Sequence, residues 1–328
     1  MAGEKQTLQW QVVGQSVRGA SHERSGMPNQ DAIRWLPESG AGSPLVLAVA
    51  DGHGSARYSR SHIGASLAVE TAARLIHEFL AGQADEVNLS LIKRAAEEWL
   101  PGALVRAWLE AVDEHIKANP FSRAELDALG GSNGRVLAPD PEASEESSLA
   151  SGSEPNSEPS SERSIKSGAS KLPIAYGATI LAAGVAETFV LYLQLGDGEI
   201  LTVTGSGEVS KPLARDDRLF ANETTSLCAR DAWRDFRVSF QPIPTTQPAL
   251  ILLSTDGYPN SFRDESGFLK VGSDLLEMIY EDGLGEVGDR LAGWLTDSTN
   301  AGSGDDVTLG ILCSASTHHK LDPEAVSL

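Results

Sequence analysis

Cysteine is nearly absent from this chain: its 328 residues include two, Cys228 and Cys313, far apart and without Cys-x-x-Cys spacing. That excludes a disulfide framework and a thiolate zinc site, and it fits a reducing compartment. Positive charge is scarce too. Against 46 acidic residues stand 26 Lys and Arg, for a formal net charge of -20. Binding to a nucleic-acid backbone needs clustered basic side chains, and an anionic membrane repels an acidic surface, so neither is an expected partner. No stretch approaches the roughly 18 apolar residues of a membrane span. The opening MAGEKQTLQW lacks the apolar core of a signal peptide, and the expected location is cytoplasmic.

Hydrophobic residues make up 41% of the chain, enough for one large core or two modest ones. Strand patterns run over 9–17 and 44–50, where PLVLAVA is a short continuous apolar stretch of the kind buried in a sheet. Residues 61–80 place Ile63, Leu67, Ala68, Ala72, Leu75, Ile76 and Phe79 at helical spacing. A second helical pattern over 91–116 is interrupted by Pro101-Gly102, because proline lacks an amide donor and clashes with the preceding turn. Further strands are expected at 177–183, 188–195, 200–204, 250–254 and 307–312, with a final helix over 273–295. The stretch 205–247 reads as a loop-rich flap carrying Trp233, Phe236 and Phe240.

From Asp140 to Lys171 the composition changes: 11 of 32 residues are serine, seven are acidic, and large apolar side chains are nearly missing. Such a segment buries too little surface to offset its ordering entropy. It reads as a disordered Ser/Glu-rich insertion, at about 138–171, within one domain spanning 9–313, with a flexible tail at 314–328. A phosphoacceptor or docking loop is the alternative to a solvated spacer.

Four aspartates sit where strands should end: Asp31 in Asn29-Gln30-Asp31, Asp51 in Asp51-Gly52-His53-Gly54, Asp256 in Ser254-Thr255-Asp256-Gly257, and Asp305 in Gly304-Asp305-Asp306-Val307-Thr308. Taken singly, an Asp-Gly after a strand is a turn. Several carboxylates meeting at strand ends suit hard cations such as Mg2+ or Mn2+, which prefer oxygen ligands. Their joint order, with Gly196-Asp197-Gly198 and Gly177-Ala178-Thr179, resembles the protein phosphatase 2C family. The opening Ser21-His22-Glu23-Arg24-Ser25-Gly26-Met27-Pro28-Asn29-Gln30-Asp31 is similar to that of bacterial members.

The resemblance implies an α+β fold, a β-sandwich of two antiparallel sheets flanked by helices in α-β-β-α layers. It implies two Mn2+ or Mg2+ ions with a possible third, and direct attack on phosphoserine or phosphothreonine by water activated between the cations. On this pattern Asp51 bridges the metals, the Gly52 carbonyl joins the second, Asp256 and Asp305 complete the first, Asp31 serves the second through water, and Asp197 helps hold the third. His53 is the general acid, the alternative being a turn histidine capping the following helix. The implied partners are phosphorylated Ser/Thr proteins and a cognate kinase.

Two departures matter. Gln30 stands where many members have a glutamate ligand, leaving the second site to Asp31 and water. The usual phosphate-clamping arginine lies four residues before that glutamate, whereas Arg24 lies six before Gln30. Arg24 is the candidate clamp, with a surface ion pair as its alternative. Arg57 and Arg60 are candidates for steering phosphosubstrate, against plain solvation, and Asn260 for assisting a third metal. A non-catalytic phosphatase-like binding module is the competing reading, and a hydrolase of small phosphorylated metabolites is a third.

Overall fold

The computed structural model describes residues 9–83, 88–130, 171–214, 225–243 and 247–315. Nearly all of the Ser/Glu-rich stretch and almost all of the expected tail lie outside them. Eleven strands are described: β1 (Trp10–Val17), β2 (Ala32–Leu36), β3 (Ala41–Gly42), β4 (Leu45–Ala50), β5 (Ile180–Val185), β6 (Phe189–Leu195), β7 (Glu199–Val203), β8 (Val209–Ser210), β9 (Arg237–Pro242), β10 (Leu250–Ser254) and β11 (Val307–Ser314). They form two sheets of antiparallel pairs, ordered β3-β1-β11-β10-β7-β8 and β2-β4-β5-β6-β9. Helices α1 (Ala20–Ser25), α2 (Ser61–Gly82), α3 (Leu89–Glu98), α4 (Leu100–Ala118), α5 (Arg123–Gly130), α6 (Glu265–Asp282) and α7 (Leu284–Ala301) complete the described elements.

Strand β4 shows why the layers form. Side chains alternate between the faces of a strand. Leu45, Leu47 and Val49 enter the core between the sheets with Leu181, Tyr192, Ile251 and Leu312. Val46, Ala48 and Ala50 enter a separate core with Ala72, Ile76, Leu104 and Trp108 of α2 and α4. A strand buried on both faces has no polar side to display, hence the continuous apolar run. On the opposite sheet, β7, β10 and β11 pack against α6 and α7 through Leu252, Leu309, Leu276 and Leu291. The result is the expected α-β-β-α layering.

The helical pattern over 91–116 divides at Trp99, and Pro101 falls in the first turn of α4, where a missing N–H costs no helical hydrogen bond. The expected final helix is two helices, parted at Gly283, whose φ of 89° is one that L side chains rarely adopt. Within 205–247, read as irregular, β9 closes one sheet edge, and Phe240 stacks on Phe189 with ring centroids 4.6 Å apart. Its pattern is masked because every residue of β9 is half-buried, so no alternation marks it.

Arg60, considered above as a substrate-steering residue, instead holds the fold together. It is buried, with its guanidinium 3.9 Å from the Phe121 ring centroid. It donates to Glu125 Oε1 at 2.7 Å, to the Asn119 carbonyl at 2.7 Å and to Tyr176 Oη at 2.9 Å. These bonds anchor α5, which has no buried residue of its own. The hydrogen bond from Arg60 holds the Glu125 carboxyl down at about 2, below its ordinary 4.5. A depressed folded-state pKa stabilises above the unfolded value, and that stabilisation is lost as pH falls through the folded value. Glu125→Gln is therefore expected to lower stability by about 1–3 kcal/mol near pH 7. In urea titrations the gap from wild type should narrow as pH drops from about 4.5 toward 2.

Candidate metal centre

Antiparallel pairing brings the motif loops to one end of the sandwich. Val17 at the end of β1 pairs with Val307 at the start of β11, Ala50 at the end of β4 with Ala32, and Ser254 at the end of β10 with Glu199. Asp31, Asp51, Asp256 and Asp305 lie in the segments just beyond these pairs, and Asp197 lies between β6 and β7. A cavity of about 380 Å3 opens among them, walled by Asp51, Gly52, Asp197, Asp256, Asp305 and His53. His22, Gln30, Gly54, Ser55 and Tyr58 complete its lining.

The local structure is tightly specified. Thr179 is fully buried; its N–H donates to the Asp51 carbonyl at 2.8 Å and its Oγ1 accepts the Asp51 N–H at 3.0 Å. The His53 N–H donates to the Gly177 carbonyl at 3.1 Å, and a Cβ on Gly177 would come within 2.8 Å of the imidazole. The Gly-Ala-Thr segment thus tethers the Asp51 loop and leaves room for His53. The His53 ring meets Tyr58 edge-on at 4.7 Å. Gly257 is needed for a similar reason, since a side chain there would overlap the Asp306 carbonyl oxygen.

Asp31 is buried behind the wall. Its Oδ2 accepts the hydroxyls of Thr255 at 2.6 Å and Thr308 at 2.7 Å, while Oδ1 is buried with no hydrogen-bond partner among the described residues. Burial raises its pKa to about 8 against the pull of the two hydroxyls, with the charges of Asp306 and Asp256 adding to the rise. Asp51 is pushed well above the carboxylate range, by burial first and then by Asp31, Asp256, Asp305 and Asp197. Asp256 rises to about 6 through burial and the charges of Asp197 and Asp305. Burial lowers the His53 pKa, partly opposed by Asp197. Carboxylates that raise one another this way, beside a buried oxygen without a donor, form a set that a hard divalent cation fits, since it supplies the missing positive charge and takes oxygen ligands.

Other candidates are placed elsewhere. Arg24 is exposed on α1 and does not line the cavity, so the displaced spacing has carried the guanidinium away from it. Gln30 is buried and donates from Nε2 to Ser61 Oγ at 2.8 Å. Arg57 is half-buried and also outside the lining. Asn260 donates to Asp256 Oδ2 at 3.1 Å. No lysine or arginine lines the cavity among the described residues; its nitrogen side chains are the two imidazoles and Gln30.

Residues 18–296 match the family model described as protein phosphatase 2C. The chain belongs to the protein phosphatase 2C family. Solved structures agree on the fold at low identity. The catalytic domain of the serine/threonine phosphatase PstP, in complex with two manganese ions, is 16% identical with a TM-score of 0.51, the alignment covering 94% of this chain and 99% of that one. Stp1 from Staphylococcus aureus gives 12%, 0.50, 92% and 94%, and PppA of Pseudomonas aeruginosa 15%, 0.51, 93% and 97%. No curated protein sequence matches the chain.

The sequence reading assigned no role to His22, Ser55, Tyr58 or Asp306. His22 lies in the motif that precedes Asp31, where the family pattern points to an arginine. Asp306 is the buried member of the Asp305-Asp306 pair, at 3% exposure, and its neighbour is half-exposed. Which of two adjacent aspartates faces the cavity depends on the phase of β11, and sequence leaves that open.

In chelator-treated protein at pH 8, Asp31→Asn is expected to raise the unfolding midpoint, because it removes one charge from the crowd and keeps an acceptor for both threonines. The gain should be about 1 kcal/mol. Added Mn2+ should then stabilise the variant less than wild type, a difference that thermal melts with and without the ion will measure.

Proposed function

We propose that this protein is a metal-dependent phosphoprotein phosphatase acting on phosphoserine and phosphothreonine, built as one catalytic domain over 9–313. The observation that carries the reading is the convergence of Asp51, Asp197, Asp256 and Asp305 on one cavity that also presents His53. Asp51, Asp256 and Asp305, with the Gly52 carbonyl, are the proposed holders of two Mn2+ or Mg2+ ions, with Asp31 behind the second and Asp197 at a third. When bound, such a pair activates a water and neutralises phosphoryl charge.

The chain's own side chains supply the rest. His53, held by the Gly177 carbonyl and the edge of Tyr58, is placed to pass a proton to the departing serine or threonine oxygen. Its lowered pKa favours giving that proton up. The Ser55 and Tyr58 hydroxyls on the same wall offer hydrogen bonds to substrate. Phosphorylated proteins and a cognate Ser/Thr kinase are the proposed partners. The described residues contain no helix long and apolar enough to cross a membrane. The absence of an arginine from the cavity wall among the described residues favours, as a second reading, a binding module that has kept the fold.

Hydrolysis of a phosphothreonine peptide and of p-nitrophenyl phosphate, with and without Mn2+, separates the two. The expected result is Mn2+-dependent turnover that falls at least about 1,000-fold in Asp51→Ala and Asp256→Ala. No turnover by folded wild type at any Mn2+ concentration would leave the binding module. His53→Gln should slow the peptide about 100-fold or more but p-nitrophenyl phosphate far less, because nitrophenolate leaves without a proton. Equal losses on both substrates would remove His53 from the general-acid role.

A further inference from the structure

Asp306 is the hub of a small rigid cluster. Its Oδ1 accepts the Gly19 N–H at 2.6 Å, and its Oδ2 accepts the Gln30 N–H at 2.6 Å and the His22 ring at Nδ1, 2.8 Å away. An ionised carboxylate only accepts, so Nδ1 carries a proton toward Asp306 and Nε2 is the ring nitrogen left for another partner. That atom faces the cavity, 3.8 Å from Asp305 Oδ1. The gap is too long for a hydrogen bond. It is a span that one cation closes when each ligand atom lies about 2.0–2.2 Å from it.

The surroundings fix this arrangement. Helix α1 is tied to the last turn of α7 by Ala20 N–H to Thr299 Oγ1 at 3.0 Å, and to the loop before β11 by Ser21 N–H to the Gly304 carbonyl at 2.8 Å. Arg18 holds the His22 carbonyl at 2.9 Å. Gly19 lies against the Asp305 backbone so closely that any side chain there would overlap it. A histidine oriented by a buried carboxylate, with its second nitrogen beside another carboxylate, is the arrangement of a metal-ligating imidazole and its outer partner.

We propose that His22 is a ligand, through Nε2, of the cation shared with Asp305, and that Asp306 is the outer carboxylate orienting it. The proposal rests on the metal-dependent reading above and deepens it by naming the metal class. An imidazole in an otherwise all-oxygen set shifts preference from Mg2+ toward Mn2+, Fe2+ and Co2+.

The test is calorimetric titration of chelator-treated wild type, His22→Ala and His22→Gln with Mn2+, Co2+ and Mg2+, together with the visible absorption of the Co2+ forms. Circular dichroism on each variant checks that it is folded. The expected result is a loss of about 10- to 100-fold in Mn2+ and Co2+ affinity in both variants. Mg2+ affinity should change little, and the Co2+ bands should shift. Unchanged affinities and an unchanged Co2+ spectrum would overturn the proposal. So would a variant that binds metal normally but shows a raised KM for phosphopeptide, which would make His22 a phosphoryl contact. Failure of wild type to bind any of the three cations would remove the metal-dependent reading itself, a result distinct from equal binding by wild type and variants.

Discussion

Repulsion among carboxylates held together at one end of the sandwich is the constraint on which this structure turns. Asp31 is buried and Asp51 and Asp256 are half-buried, and each is raised above its ordinary pKa partly by the charge of its neighbours. Side chains so placed would separate if the backbone let them. It does not, because each aspartate is fixed within a few residues of a strand buried on one or both faces. Moving any of them requires unpairing a ladder such as β10 with β11. The apolar layers hold the acidic end in place, and the charge crowding there is a local cost that core burial elsewhere offsets.

The same constraint orders the polar groups around the site. Thr255, just past the end of β10, and Thr308 on the neighbouring β11 bring their hydroxyls to one oxygen of Asp31. Thr179, just before β5, stitches the Asp51 loop at the end of the neighbouring β4, while the Thr255 and Thr308 bonds to Asp31 tie one sheet to the other. A hydroxyl suits this place because it satisfies a buried acceptor without adding charge to a region already overloaded. The buried guanidinium of Arg60, by contrast, lies outside the cavity, paired with Glu125 and set against Tyr176 and Phe121. It fastens a helix whose residues bury too little to hold it.

Much of the fold could be read in the sequence, because burial writes a strong signal. β4 and β10 are continuous apolar runs, and α2 has helical spacing over its whole length. The missed elements have weak signals for a physical reason. β2 and β9 lie at sheet edges where every residue is half-buried, and α1 is a single short turn of six residues. The aspartates were legible as a group through their motifs, and the structure puts Asp51, Asp197, Asp256 and Asp305 on one cavity wall. The basic residues were not. Spacing suggested Arg24 near phosphate and an exposed Arg60, and the structure reverses the second and moves the first to solvent. A long flexible side chain can point to several places from one Cα, so its destination depends on neighbours distant in sequence.

That reversal bears on how an acidic chain could handle a dianion. With no lysine or arginine on the described cavity wall, a phosphoryl group would meet at least four aspartates and two imidazoles. Without cations such a wall repels its proposed substrate. With them, the sign of the local field inverts, because a divalent ion is the largest local charge in any site it enters. Positive charge that in other designs could be permanently present as guanidinium would here arrive with the metal, so the affinity of this cavity for phosphate and its affinity for cations become one linked quantity. His22 then has a reason to be histidine: held by Asp306, an imidazole offers the cation a nitrogen ligand without adding a further negative charge to an end of the molecule that already has too many.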